Sequence, residues 1–317
     1  MNHPPILPEA LISFYGDALS KARFLARVQN LIYEYDDGGQ PCILRLTPVT
    51  HRSASQVAAE LNWVQFLALH QAQVSPPIRS REGQLCHALS IDGEVFVAAA
   101  FKRAPGLIGA GKNWNEPIFR EWGQLVGTLH RLSRKYRPGE IAEKRAAWKD
   151  NLPIGKPKTT EEEIAMIRLE EISRAITALP CTEEDYGLIH ADLHFWNFAV
   201  DGRRITVFDF DNSEYHRLLA DIGTIIFEAA TCGHQQLPRS QFIALFLKAF
   251  IEGYRLEIDR DIKWFEHLPL FVKLREVSIF LILSERWRGR KLEAFQQSFF
   301  DSIRSATLED RPFMSFE

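Results

Sequence analysis

LIHADLHFWNFAVDGRRITVFDFDNSEYHRLLAD, residues 188–221, organises the reading of the whole chain. An apolar run leads into Asp192 and, five residues later, Asn197. Asp201-Gly202 marks a turn, and an apolar strand, Ile205–Phe208, delivers Asp209 at its end. A hairpin folds its second strand back beside the start of the first, so the pattern predicts that Asp192, Asn197 and Asp209 converge. Two carboxylates and an amide on one loop and one strand end suit phosphoryl transfer. Mg²⁺ takes hard oxygen ligands such as a carboxylate and an amide oxygen, and a second carboxylate orients the attacking hydroxyl and accepts its proton.

Upstream, the chain reads as a small mixed sheet. A short helix is expected over Glu9–Leu19, followed by strands at Arg23–Val28, Leu31–Tyr35 and Cys42–Leu46. Asp36-Asp37-Gly38-Gly39 is a hairpin signal between the last two. Ser53 and Gln56 form an S-x-x-Q capping box. It opens a helix to about Gln71, with Val57, Leu61, Val64, Leu67 and Leu69 as its apolar stripe. Pro76-Pro77 marks a loop, and strands Leu85–Ile91 and Glu94–Phe101 flank the two-residue turn Asp92-Gly93. Arg103-Ala104-Pro105-Gly106 then breaks the pattern and is read as the connection between two lobes. From Glu116 the chain is mainly helical, with a second capping box at Thr160–Glu163, an embedded hairpin between Gly187 and Asp209, and long helical patterns from Arg217 onward. Sheet plus helix, hinge, then helices with one hairpin is an α+β organisation.

H-A-D-L-H-F-W-N followed by F-D-F-D resembles the catalytic segment of the aminoglycoside phosphotransferase and choline kinase group, which carries H-G-D-x-x-x-x-N and then a D-x-D strand end. The resemblance covers about Arg23 to Asp221. It implies a two-lobed protein-kinase-like fold, with a small antiparallel-sheet N-lobe over residues 1–103 that binds nucleotide. The large, mainly helical C-lobe, 104–317, holds the catalytic and acceptor sites. It implies an ATP-dependent phosphotransferase acting on a hydroxyl of a small polar molecule, with ATP and Mg²⁺ as cofactors. A protein Ser/Thr kinase and a nucleotide-binding pseudokinase are the alternatives, the second disfavoured because Asp192, Asn197 and Asp209 are all present.

By the same resemblance Asp192 is the catalytic base, Asn197 and Asp209 are Mg²⁺ ligands, His190 braces the loop, and Asp221 buttresses it. Cys42-Ile43-Leu44-Arg45 takes the place of the V-A-I-K strand. Arg45 then binds the α- and β-phosphates, Ile43 roofs the adenine, and Glu60 pairs with Arg45. Read alone, Arg45 is an edge-strand charge and Glu60 a solvated helix residue. Adenine is expected to bond to backbone near Lys102 and Ala104. Asn30 sits where relatives often carry Asn, in a turn that lacks the G-x-G-x-x-G glycines. Ala191 replaces the usual Gly. Trp196, Glu214 and Tyr215 are candidates for the acceptor pocket, with Glu276 and Glu285 behind them.

Composition narrows the partners. The 317 residues carry a net charge of −3, so no global basic field calls for nucleic acid. Cys42, Cys86, Cys181 and Cys232 are scattered without a C-x-x-C pair, which suits reduced thiols and a cytoplasmic setting. Met1–Pro5 has no signal-peptide pattern. The apolar run Leu268–Leu283 is broken by Lys273, Arg275 and Glu276, so it reads as a buried helix and not a membrane span. His190 and His194 lie in a loop with no third ligand, which argues against zinc. Arg286, Arg288, Arg290 and Lys291 read as a solvated basic turn.

Overall fold

The computed structural model describes residues 7–109, 114–139, 144–232 and 237–311; Met1–Pro5 and the final residues of the predicted helical stretch lie outside the described residues. In chain order the elements begin with α1 (Glu9–Tyr15), β1 (Arg23–Arg27), β2 (Leu31–Asp37), β3 (Gln40–Pro48), α2 (Ala54–Leu69), β4 (Pro77–Ile78), β5 (Cys86–Ile91), β6 (Glu94–Lys102) and β7 (Leu107–Ile108). They continue with α3 (Glu116–Ser133), α4 (Thr160–Ala178), β8 (Tyr186–Ile189), β9 (Phe198–Asp201), β10 (Arg204–Val207), β11 (Glu214–Arg217), α5 (Leu219–Cys232), α6 (Arg239–Tyr254), α7 (Leu268–Trp287) and α8 (Ala294–Leu308).

The chain forms two compact units. One comprises Met1–Leu107 with two later segments, Lys135–Arg145 and Ala199–Asp211; the other comprises Ile108–Arg134, Ala146–Phe198 and Asn212–Glu317.

In the first unit the main sheet runs β1-β2-β3-β6-β4, with β5 also on β6. The five predicted strands are all present. The sheet gains a sixth, β4, because Pro77 and Ile78 pair with Phe101 and Ala100 where a loop was expected. Proline suits such an edge, since it has no N–H to donate inward. The β2–β3 hairpin is tighter than the four-residue signal suggested. Asp37 pairs with Gln40, so only Gly38 and Gly39 turn the chain, at φ 64° and 91°, the doubly positive φ that a two-residue turn of this hand requires.

Strand alternation gives the sheet two apolar faces. Tyr33, Tyr35, Leu44, Leu46, Ala98 and Ala100 pack against Leu11 and Tyr15 of α1. On the opposite face Val97 and Ala99 lie under Val57 and Leu61 of α2. That second face of β3 also carries Ile43, Arg45 and Thr47. The α2 capping box forms as expected, Gln56 N–H donating to Ser53 Oγ while Ser53 N–H donates to Gln56 Oε1. Leu69 departs from the expected stripe. It is 74% exposed, being in the last turn where the apolar face no longer meets the sheet, and Trp63 is buried instead.

The second unit is helical apart from β8, β11 and short flanking pieces. The cap of α4 is Thr159, not Thr160: its side chain accepts from Glu162 N–H. β11 falls where no strand was predicted and pairs with β8, Glu214 opposite Ile189 and Arg217 opposite Tyr186. α7 is the buried helix expected over Leu268–Leu283, and no described helix is long and apolar enough to cross a membrane.

Helices α3 and α6 approach through glycine. A Cβ at Gly123 would lie 1.9 Å from the Phe250 carbonyl oxygen, and one at Gly253 would lie 1.9 Å from that of Arg120. Neither neighbour is a side chain that can swing away. Gly253→Ala therefore forces the helices apart and lowers stability by ~1–3 kcal/mol or more, measured as a lower urea midpoint, while Gly155→Ala, where nothing lies within 4 Å of the added Cβ and the backbone is not left-handed, has no comparable cost.

His216 on β11 gives the fold a pH dependence. Its ring stacks on Trp148 at 4.5 Å, its Nδ1 accepts from Arg217 N–H at 2.7 Å, and its Nε2 is buried without a hydrogen-bond partner. Burial holds its pKa down at about 3, against an ordinary 6.5. The folded protein keeps this ring neutral while the unfolded chain protonates it, so the unfolded state binds the extra proton below the ordinary value. Stability should fall by about 1.4 kcal/mol per pH unit on acidification below roughly pH 6, until the folded ring itself titrates. His216→Phe should flatten this limb in urea melts taken between pH 7 and 4.5.

Candidate active site

The loop after β8 is held by one carboxylate. Asp221, at the start of α5, is 1% exposed and accepts from His190 N–H at 3.0 Å and Ala191 N–H at 2.7 Å. His130 Nε2 lies 3.2 Å from the same Oδ2, and its Nδ1 is 3.0 Å from Tyr254 Oη. Burial works to raise the Asp221 pKa, but its hydrogen bond to His130 and the charges around it hold it below the usual carboxylate range. With both N–H groups fixed, Ala191 sits at φ 65°, a left-handed conformation more natural to the glycine expected there. His190 is fully buried, and its Nδ1 accepts from Asp192 N–H at 3.3 Å.

Asp192 thus leaves the loop at a set angle. Its carboxylate accepts from Arg275 at 2.7 Å and from Asn212 at 3.1 Å. Burial favours the neutral acid here, but Arg275 and the neighbouring histidines outweigh it and hold the group low. Asn197 spends its amide nitrogen on Asp192 O at 2.9 Å, which leaves its oxygen as the atom to offer a cation. Trp196 is 64% exposed, which excludes a place in the core. His194 accepts from Trp196 N–H through Nδ1 and approaches Asn197 through Nε2. Among the described residues no three or more of His, Cys, Asp and Glu gather as a metal cage. Glu214 accepts from Asn151 Nδ2 at 2.8 Å, and Tyr215 offers its carbonyl to Tyr186 Oη at 3.0 Å. Glu276 is fully buried against Lys273, and Glu285 pairs with Lys158 and Arg288 at the surface.

In the first unit Arg45 and Glu60 form a two-pronged pair, Nη1 to Oε1 at 2.8 Å and Nη2 to Oε2 at 2.7 Å, with side chains 4% and 1% exposed. Burial alone would lower the Arg45 pKa, but Glu60, with Asp211 and Asp209 nearby, raises it above its ordinary value. Asp209 has φ 63° and a side chain 46% exposed, and lies 3.8 Å from Arg45 Nη1. β9 follows Asn197 directly and β10 ends two residues before Asp209, so the predicted hairpin is present. Ile43 is half-buried on the Arg45 face. Lys102 gives its N–H to Pro76 O and takes the Ser75 hydroxyl on its carbonyl, while Ala104 is buried two residues on.

Asp211 is a residue the sequence reading passed over. It is 3% exposed. Its carboxylate meets His51 Nε2 at 2.7 Å, Arg52 Nε at 3.2 Å and Asn30 Nδ2 at 3.5 Å, and its carbonyl accepts from Arg145 Nη2. Burial would raise its pKa, yet His51 and the flanking guanidinium groups push it well below the carboxylate range. The second Asp of F-D-F-D was the available signal. Arg275, Glu228 and Asn212 were passed over as well. Asn212 lies three residues beyond Asp209, whereas Arg275 has no local signature, being 83 residues from Asp192.

Residues 22–263 match the profile of the APH family, described as the phosphotransferase enzyme family. The chain belongs to that family. It is a small-molecule phosphotransferase of kinase-like α+β fold. It is 28% identical over 309 residues to amicoumacin kinase of Bacillus subtilis (strain 168), covering 96% of this chain and 91% of that protein. Among solved structures it resembles amicoumacin kinase hAmiN in complex with AMP-PNP, Ca²⁺ and Ami, with TM-score 0.89, 26% identity, and 98% and 94% of the two chains covered. A microcompartment-associated aminopropanol kinase shares the fold at TM-score 0.72 and 20% identity, over 95% and 94% of the two chains.

The Arg45–Glu60 pair generates a stability prediction. Glu60→Gln strands a buried guanidinium and should cost ~3–5 kcal/mol. The double change Arg45→Met with Glu60→Leu removes both charges and should cost less than Glu60→Gln alone, as read from urea unfolding of the three proteins.

Proposed function

We propose that this enzyme transfers the γ-phosphate of ATP, in the presence of Mg²⁺, to a hydroxyl of a small polar molecule, with Asp192 orienting that hydroxyl. The observation that carries this reading is the Asp192 loop itself. A buried carboxylate fixes its backbone, and two donors fix its side chain. Such positioning is what a loose phosphoryl-transfer transition state asks of a protein. The acceptor oxygen bonds to Pγ as the bond from Pγ to the ADP oxygen breaks, and Asp192 accepts the hydroxyl proton or its hydrogen bond.

Asn197 and Asp209 fit a hard divalent cation. One offers an amide oxygen whose nitrogen is already committed, the other a carboxylate 46% exposed at a strand end. One carboxylate and one amide with phosphate oxygens is a set that suits Mg²⁺. When bound, the ion neutralises charge on the phosphates. Arg45, held by Glu60, grips the α- and β-phosphates, and Ile43 roofs the adenine beside it. Adenine bonding falls to the backbone at Ala104, because Lys102 has given its N–H to Pro76. Asn30 serves the phosphate end of this face, and Trp196, Glu214 and Tyr215 serve the acceptor. Amicoumacin, the substrate in the name of the relative 28% identical over 309 residues, is the first acceptor to try.

Incubation with Mg²⁺–ATP, amicoumacin and a pool of small alcohols, read by mass shift, tests the activity; no phosphorylated product would sink it. Asp192→Asn keeps size but removes the acceptor of the proton, so turnover should fall ~10²-fold or more with Mg²⁺–ATP binding retained. Asp209→Asn should instead weaken Mg²⁺–ATP binding in calorimetry. Parental Mg²⁺–ATP binding by Asp209→Asn would refute the ligand assignment even with the phosphotransfer intact.

A further inference from the structure

Asp192 carries more partners than an orienting carboxylate needs. Arg275, from α7, brings one nitrogen, Nη2, to 2.7 Å from Asp192 Oδ1 and 3.0 Å from Glu228 Oε1 on α5. Asn212 Nδ2 holds the other Asp192 oxygen at 3.1 Å, and His194 Nε2 lies 3.6 Å from it. Arg275 and Glu228 are each 15% exposed and Asp192 21%. Three charges are thus drawn largely out of water at the reacting carboxylate, which costs free energy unless each finds its partner.

The arrangement has a direction. Glu228 and Arg275 sit on helices that pack together, whereas Asp192 sits on a loop. A guanidinium tied to a helix through Glu228 does not follow the loop, so the Asp192 side chain is set by it. Each carboxylate oxygen has two lone pairs. With one direction on Oδ1 taken by Arg275 and one on Oδ2 by Asn212, the plane of the carboxylate is fixed and one direction on each oxygen remains.

We propose that Arg275, anchored by Glu228, is a positioning residue for phosphoryl transfer, setting the plane of the Asp192 carboxylate so that the acceptor hydroxyl meets a free lone pair. The proposal rests on the assignment of Asp192 above. It adds no chemical step: it concerns where the hydroxyl is held when its oxygen reaches Pγ.

The test compares Arg275→Met, Arg275→Lys, Arg275→Ala and Glu228→Gln with Asp192→Asn, using Mg²⁺–ATP with amicoumacin or the acceptor found in the alcohol pool, together with a crystal structure of Arg275→Met. A misplaced group costs up to ~10²-fold in rate, so Arg275→Met should lower kcat ~10- to 100-fold. Its KM for ATP should stay within about twofold, the pattern of an interaction lost in the transition state. Arg275→Lys should recover part of the loss, and Glu228→Gln should show a smaller loss in the same sense. Guanidinium ion added to Arg275→Ala should restore turnover, and should not restore it to Asp192→Asn. In the Arg275→Met crystal the Asp192 carboxylate should be rotated or split over two orientations.

Unchanged or faster turnover in Arg275→Met overturns the proposal, faster turnover meaning that Arg275 masks Asp192 instead. So does an Asp192 side chain in its parental orientation, or a folded Arg275→Ala that guanidinium leaves inactive. Should Arg275→Met fail to fold, Arg275→Lys and Glu228→Gln decide by the same kcat criterion. Full activity in Asp192→Asn is a different failure: it removes the underlying assignment, whatever Arg275 does.

Discussion

Everything proposed for Asp192 depends on one buried carboxylate making three bonds. Asp221 holds two successive backbone N–H groups and meets His130 from its other side. Hydrogen bonds to an ionised acceptor in a dry site are stronger than ordinary ones. They keep Ala191 in a conformation that an alanine does not choose for itself. Without that clamp the chain would relax toward an ordinary turn, and Asp192 would leave it in another direction. The clamp in turn rests on His130 and Tyr254, which lie on α3 and α6, the two helices drawn together by glycine.

Charge is handled differently in the two units. Around Asp192 it is shared among loop, α5 and α7, so that one arginine serves two acids. In the first unit Arg45 and Glu60 meet in a two-bonded fork, while Asp211 gathers His51, Arg52, Asn30 and Arg145. Beyond the fork, Arg45 Nη1 also lies 3.8 Å from Asp209 Oδ1. Asp211 is engaged on both oxygens, so the two acids of the F-D-F-D strand end differ in their surroundings. Asp209 is half-exposed, and Asp211 is a structural knot.

The strands of the first unit were legible because alternation and two-residue turns are local signals. Asp92-Gly93 turns β5 into β6 as expected, with Ile91 opposite Glu94. β4 and β11 were not legible. Two residues carry no periodicity, and Glu214-Tyr215-His216-Arg217 shows no apolar alternation to mark a strand. The Arg45–Glu60 pairing was legible only through the family resemblance, because read alone Arg45 is an edge-strand charge and Glu60 a solvated helix residue. The partners of Asp192 and Asp211 were not, since a buried ion pair spanning 83 or 159 residues leaves no mark on the sequence around either member. Leu69 shows the converse: periodicity assigned it to the stripe, but the helix end lifts it off the sheet.

The composition of the first unit bears on how the protein is made. Its sheet is complete by Lys102, yet the segments Lys135–Arg145 and Ala199–Asp211 belong to it as well. Synthesis proceeds from the N-terminus at ~5–20 residues per second. When Lys102 emerges from the ribosome, Asn30, His51 and Arg52 still await Asp211, which lies far later in the chain. A nascent chain can pair its strands at that stage, but it cannot tie the knot at Asp211. The first unit therefore matures only after residues 108–134 and 146–198 of the second have been translated.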